Sequence, residues 1–256
     1  MRLAVAAWAR WLAVLVVAAC GVSVSACGAD PQPAEEPTPV LGWVVGDGCA
    51  TPPDRVRADA DGIVARGVAD AGFRSLYVVC DDAQAPAALA DPALHDHLDD
   101  LGLRLSVVSA NDADVSAAMR ADIPLPALRT AITRHVMAAQ PLVFSGEAAL
   151  LDDAHIATVA NRDVLAIGRD SRRTAGAPIN GDRERFSRAI GSQGLIVSLT
   201  NGESMARDLS FDLVEVNLAG DTVAATDVWT GRRVHASGGT ITLSLASTDS
   251  ALLRIG

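Results

Sequence analysis

The stretch "SLYVVCDD", Ser75–Asp82, decides how the fold is read. Its apolar, β-branched and aromatic run lacks polar alternation, as a strand buried on both faces does. Yet it closes on two adjacent carboxylates, where a buried strand commonly stops at Gly, Pro or Asn. Upstream, "VLGWVV" (40–45) reads as another strand, and Thr51-Pro52-Pro53 opens a helix predicted to run to about Ala71. Its apolar positions Val56, Ala60, Ile63, Val64, Gly67 and Val68 recur at helical spacing, with Gly72 as the stop. Downstream, a shorter helix carries Leu94, Leu98 and Leu101 on one face and stops at Gly102; "LRLSVVS" (103–109) follows as a third strand. Strand, helix, strand, helix, strand at this spacing predicts parallel pairing with crossover helices, so this half of the chain is α/β.

The pattern continues with a helix from Pro124 to Gln140, whose Leu128, Ile132, Val136 and Ala139 share a face, and with the strand "PLVFSG" (141–146). A helix over about Asp152–Ala160 and the segment "RDVLAIGRD" (162–170) end the α/β part. After "TAGAPINGDRER" the character changes. "SQGLIVSLTN", "ARDLSFDLV", "DTVAATDVW", "GTITLSL" and "SALLRI" are short β-rich runs separated by Gly, Asn, Asp and Ser, the pattern of an antiparallel sandwich. The predicted organisation is a leader over 1–27, a Pro-rich tether over 28–40, an α/β domain over 41–176 and a β-sandwich over 177–256.

The chain has 256 residues, 50% apolar and 20% charged, enough for a sizeable core. It contains no Lys. A basic start (Arg2, Arg10), the apolar run "WLAVLVVAACGVSVSA" and then Cys27 form signal-peptide anatomy. Removing residues 1–26 leaves 19 Arg against 31 acidic residues, which argues against nucleic acid as a partner. Val24-Ser25-Ala26-Cys27-Gly28 resembles the lipobox of bacterial lipoproteins, which implies a lipid at Cys27 and a domain anchored to the outer side of the bacterial cell membrane. Val17-Ala18-Ala19-Cys20 is the competing match. An uncleaved anchor is the other alternative, although the apolar run is shorter than the roughly 20 residues a spanning helix needs. The tether "GADPQPAEEPTP" suits holding a domain off a membrane.

Cys49 and Cys80 are then the remaining cysteines. In an oxidising compartment two cysteines suggest one disulfide, with reduced buried thiols as the alternative. No matching His spacing accompanies them. "HDH" at 95–97 does not make a metal site, because residues two apart on a helix do not face each other. No Gly-rich phosphate loop or nucleophile elbow is present, so no cofactor is expected.

"LGWVVGDGC", "ADADGIVARGVADAGFRSLYVVCDD" and "DHLDDLGLRLSVVS" together resemble the opening of glycoside hydrolase family 27, the α-galactosidases and α-N-acetylgalactosaminidases. "LPALRTAITRHVMAAQPLVFSGE" and "ATVANRDVLAIGRDSRRTAG" resemble the family's last barrel helix, last strand and following segment, and "TDVWTGRRV" with "ALLRI" its C-terminal sandwich. The resemblance implies a (β/α)8 barrel, whose reactive strand ends lie at one face. It assigns Asp81 and Asp82 to hydrogen bonds with galactose hydroxyls, a role suited to strong acceptors, against a turn cap and a solvated carboxylate as the alternative. Trp43 matches an aromatic residue bordering the sugar, with core packing as its alternative. Cys80 precedes the Asp pair where the family's Cys follows it, and Glu147 stands where the family has an Asp.

The resemblance also exposes gaps. A retaining glycosidase needs two carboxyls about 5–5.5 Å apart, and neighbours such as Asp81 and Asp82 point to opposite faces of a strand. The family's mid-barrel nucleophile and its acid/base have no counterpart here. Residues 41–176 span about half of the roughly 250 that a complete barrel uses. The expectation is a partial barrel with a C-terminal sandwich, catalytically silent and retaining at most galactoside binding. The alternatives are hydrolysis by substitute carboxylates, among Asp112, Asp114 and Glu147, and a cell-envelope scaffold with the sandwich as an interaction module. His135, where the family has Trp, is read as a helix-surface residue. Open sheet edges predict either helix and sandwich cover over them or a homodimer of complementary half-barrels.

Overall fold

The computed structural model describes residues 41–256 except 82–86, 113–114, 171, 173, 192–193 and 221. The leader, the tether, Cys20, Cys27, Asp82 and Asp114 therefore lie outside the described residues.

The α/β part runs β1 (Leu41–Val44), α1 (Pro53–Ala65), β2 (Ser75–Val79), α2 (Pro92–Asp100), β3 (Arg104–Val108), β4 (Met119–Arg120), α3 (Leu125–Met137), β5 (Leu142–Ser145), α4 (Asp153–Val159) and α5 (Arg162–Gly168). Its sheet has the order β3-β2-β1-β5-β4, every pair parallel. β5 returns beside β1, as the last strand of a closed barrel does, and among the described residues no pairing joins β3 to β4. The arc thus holds five of a barrel's eight strands.

Register sorts the side chains into rows. Leu105, Leu76, Trp43, Phe144 and Met119 align across the strands and pack into the core under the helices. Ser106, Tyr77, Val44, Ser145 and Arg120 align one residue further along and take the opposite, concave face. In a closed barrel that face is filled by strands from across the barrel. Here Val115 and Ala118, from the segment after β3, pack on it against Tyr77, Val143, Val44, Val79 and Val108. Tyr77 lies across β1: a Cβ at Gly42 would sit 2.3 Å from its Cε2. The open edges are short or polar. β4 has two residues, and β3 exposes Arg104 and Ser106.

α1 ends earlier than its apolar periodicity predicts. Gly67, at φ +72°, lets its own N–H reach Val64 O and that of Val68 reach Ile63 O, so a Schellman turn closes the helix before Gly72. α3 stops at Met137 in the same way, but with Ala139 in the left-handed position (φ 54°).

The second half forms a six-stranded antiparallel sheet in the order β11-β10-β13-β8-β7-β6: β6 (Ala177–Ile179), β7 (Asp182–Ile190), β8 (Gly194–Thr200), β10 (Ala224–Asp227), β11 (Arg233–His235) and β13 (Ser250–Ile255). β9 (Arg207–Asp212) pairs with β12 (Thr240–Leu245) as the facing layer. Val197, Leu199, Ala251 and Leu253 pack toward Phe211, Ile241 and Leu243, while Ile196 and Leu252 join the helix-side core. Burial on both faces explains why β8 carries no charged residue.

α3 carries the join. Arg129 forks onto Asp249 at 2.9 and 2.5 Å, Thr130 Oγ1 donates to Thr248 O at 2.7 Å, and Thr133 meets Ser250 at 2.9 Å and Trp229 Nε1 at 3.0 Å. Arg188 of β7, its side chain fully buried, donates to Val136 O and to Ile167 O at 3.4 Å. These carbonyls belong to the last turns of α3 and α5, where each also accepts one backbone N–H, from Ala139 and Asp170 at 3.3 Å, and the helix dipoles present negative charge.

Candidate functional site

The C-terminal ends of β1, β4 and β5, with the first turns of α1, enclose a cavity of about 380 Å³. Register builds its floor, since Val44, Ser145 and Arg120 occupy one concave row. The loop from β1 to α1 is tied to itself: Asp47 N–H donates to Thr51 Oγ1 at 2.9 Å, and that hydroxyl donates to Gly48 O at 2.7 Å. Gly46 is obligatory there, because φ is +69° and a Cβ would meet Thr51 Cγ2 at 2.2 Å. The disulfide Cys49–Cys80, with Cα atoms 4.8 Å apart, fastens this loop to the end of β2.

Charge concentrates in the cavity. Arg55, from the first turn of α1, reaches Glu147 at 2.7 Å and Asp59 at 3.4 Å. Asp59 also accepts the Gly46 N–H at 3.0 Å. Burial pushes the Asp59 carboxyl above its ordinary value of 3.8, and the Gly46 hydrogen bond and Arg55 only partly oppose it. On the far wall Arg120 forks onto Asp122 at 3.0 and 2.6 Å, which holds that carboxyl below its ordinary value. The result is a polar cleft in which three carboxylates are fixed by two guanidiniums, with Asp47 beside them.

Of the residues singled out from the sequence, Glu147 lines this cavity and Asp81 does not. Asp81 closes β2 at the same end of the sheet, exposed, and its Oδ1 accepts the Ser109 hydroxyl at 2.7 Å and the Ala110 N–H at 2.8 Å. These two bonds hold its carboxyl below the ordinary value. The carboxylate after the apolar run thus pins the turn that follows the neighbouring strand, and Oδ2 accepts no hydrogen bond among the described residues. Trp43 does not border the cavity. It is 0% exposed, packed against Phe144 at 5.7 Å and Phe73 at 6.2 Å between ring centroids. Odd and even positions of a strand face opposite ways, and Trp43 falls in the helix-facing row, so core packing is its role. Its Nε1 still donates to Gly146 O at 2.7 Å, which positions the residue before Glu147.

His97 pairs with Asp61 at 2.8 Å, and His135 bonds the Ala131 and Ala117 carbonyls. Among the described residues no group of His, Cys, Asp and Glu could hold a metal. Sequence reasoning missed Asp59, Arg120 and Asp122. The i,i+4 spacing of Arg55 and Asp59 on one helix face was the available signal for the first; Arg120–Asp122 lies in a linker without periodicity.

Residues 180–255 match the alpha galactosidase C-terminal beta sandwich domain. No curated protein sequence matches the chain. Among solved structures, the fold is similar to α-galactosidase I of Mortierella vinacea, at 13% identity and a TM-score of 0.67 over 85% of this chain and 96% of that one. It is similar also to the α-galactosidase of Saccharomyces cerevisiae, at 11% identity and 0.66 over 86% and 97%. A structure of α-galactosidase from Saccharomyces cerevisiae with raffinose gives 11% identity and a TM-score of 0.60 over 86% of this chain and 97% of that one. The partial barrel followed by an antiparallel sandwich is therefore an α-galactosidase-like fold.

Proposed function

We propose that this chain is an α-galactosidase-like protein of the cell envelope, held to the membrane by a lipid on Cys27, that binds galactose-type sugar in the cavity at the β1, β4 and β5 ends and does not hydrolyse it. The observation that carries this reading is the fixation of the cavity's carboxylates. Retaining hydrolysis needs an ionised carboxylate free to attack and a protonated partner about 5–5.5 Å away across the scissile bond. Arg55 instead joins Glu147 and Asp59 through one guanidinium, and Arg120 occupies both oxygens of Asp122. An ion-paired carboxylate is a poor nucleophile but remains an acceptor for sugar hydroxyls, because each oxygen has two lone pairs. The yeast neighbour whose structure includes raffinose supports carbohydrate as the ligand class.

The test is turnover of 4-nitrophenyl α-galactoside and α-N-acetylgalactosaminide by protein lacking residues 1–27. The reading expects no release of nitrophenol above an Asp59→Asn/Glu147→Gln control. Turnover that the control abolishes would establish hydrolysis by substitute carboxylates.

A further inference from the structure

A second cavity, of about 450 Å³, lies between the end of α3 and strands β7 and β8, away from the strand ends of the α/β sheet. Its body is apolar, built by Met137, Ala138 and Phe186. At its rim stand Arg134 from α3 and Arg183 from β7, both exposed and both outside every ion pair among the described residues. Its floor holds Ser198 and Thr200, only 2% and 5% exposed. Both lie on the helix-facing side of β8, alternating with Val197 and Leu199 of the sandwich core, and neither hydroxyl makes a hydrogen bond among the described residues. Neither hydroxyl is among the fully buried atoms that lack a partner, so each keeps surface open to the cavity, where a ligand oxygen can reach it.

We propose that this cavity binds a small organic carboxylate with an apolar body and a hydroxyl at the end opposite its charge. The carboxylate lies between the Arg134 and Arg183 guanidiniums, whose planar forks match its geometry. The body packs on Phe186 and Met137, and the distal hydroxyl reaches Ser198 and Thr200. The site is independent of the sugar cavity and involves no covalent step.

The probe is 4-hydroxycinnamate, which carries carboxylate and phenol at opposite ends of an apolar rod, measured by equilibrium dialysis of the full chain. The expected result is one saturable site. Arg134→Gln/Arg183→Gln removes two exposed, unpaired side chains and should leave thermal unfolding unchanged while weakening binding at least ~tenfold. Thr200→Val, which keeps the shape and removes the hydroxyl, should weaken it by a factor of about 3–10. The uncharged 4-hydroxycinnamyl alcohol should bind at least ~tenfold less tightly than the acid. Glu147→Gln, in the other cavity, should leave the affinity unchanged. Absence of saturable binding below ~10 mM, or undiminished affinity in the double arginine variant, overturns the proposal.

Discussion

Replacing Arg188 by Met tests how the sandwich is fastened to the helices. Met approximates the aliphatic stem but removes the guanidinium, taking its donor from Val136 O and the longer contact from Ile167 O, each of which keeps one backbone N–H at its helix end. It also strips Asp170 of the cation 3.7 Å away, and that carboxylate is only 9% exposed. Charge-assisted hydrogen bonds contribute about 1.5–3 kcal/mol each, and breaking a buried ion pair from one side costs about 3–5 kcal/mol. Two features reduce the sum: the pair is longer than an ideal one, and Arg188 Nε and Nη2 are themselves buried without hydrogen bonds. The expected loss for Arg188→Met is therefore about 3 kcal/mol. Asp170→Asn in the Met background should recover about 1 kcal/mol, since it removes the stranded charge while keeping an acceptor for the Gly191 N–H. Urea unfolding of the protein lacking residues 1–27 reads both values. A loss below about 1 kcal/mol, or a double variant no more stable than Arg188→Met, would refute the account of this residue as a shared helix cap.

Reduction of the Cys49–Cys80 bridge, which closes a separation of 31 residues, should lower stability by about 3–4 kcal/mol, read as a shift in the urea midpoint with and without reductant. Ala139→Gly should raise stability by about 1 kcal/mol, because the left-handed φ of 54° strains a side chain there; an unchanged or lower melting temperature would contradict this. The Asp59 carboxyl is raised in the folded state, so its contribution to stability is fully present below pH 3.8 and is lost as pH rises through the folded value. Unfolding free energy in Asp59→Asn should accordingly lack that decline, as parallel denaturation series across the acid range will show. Asp81 has the opposite sign: its depressed value means a contribution present above 3.8 and lost as pH falls through the folded value, and Ser109→Ala should move its NMR titration midpoint upward.

The α/β half and the sandwich were legible because burial writes itself into apolar runs. "SLYVV" and "GLIVSLT" are covered on both faces and carry few polar residues. β4 was not legible, since two residues have no period and their pairing with β5 depends on the barrel's curvature. Gly67 shows a different limit: it fits the apolar face of α1 by spacing, yet its freedom at positive φ ends the helix. For the site, strand ends could be located but not the direction of a side chain. Trp43 faces the core because of which parity of β1 meets the helices, and Asp81 binds its neighbour's turn. Asp59 enters the cavity from a helix, so nothing in the strand reading pointed to it.

The carboxylates held by Arg55 and Arg120 are proposed to form a sugar-binding cleft. Calorimetric titration of galactose into protein lacking residues 1–27, and into its Glu147→Gln and Asp122→Asn variants, tests it most directly. The account predicts saturable binding at ~1 mM or tighter that each variant weakens at least ~fivefold, as loss of a charged acceptor should. Absence of heat from galactose, or variants that bind as well as the parent, would contradict it.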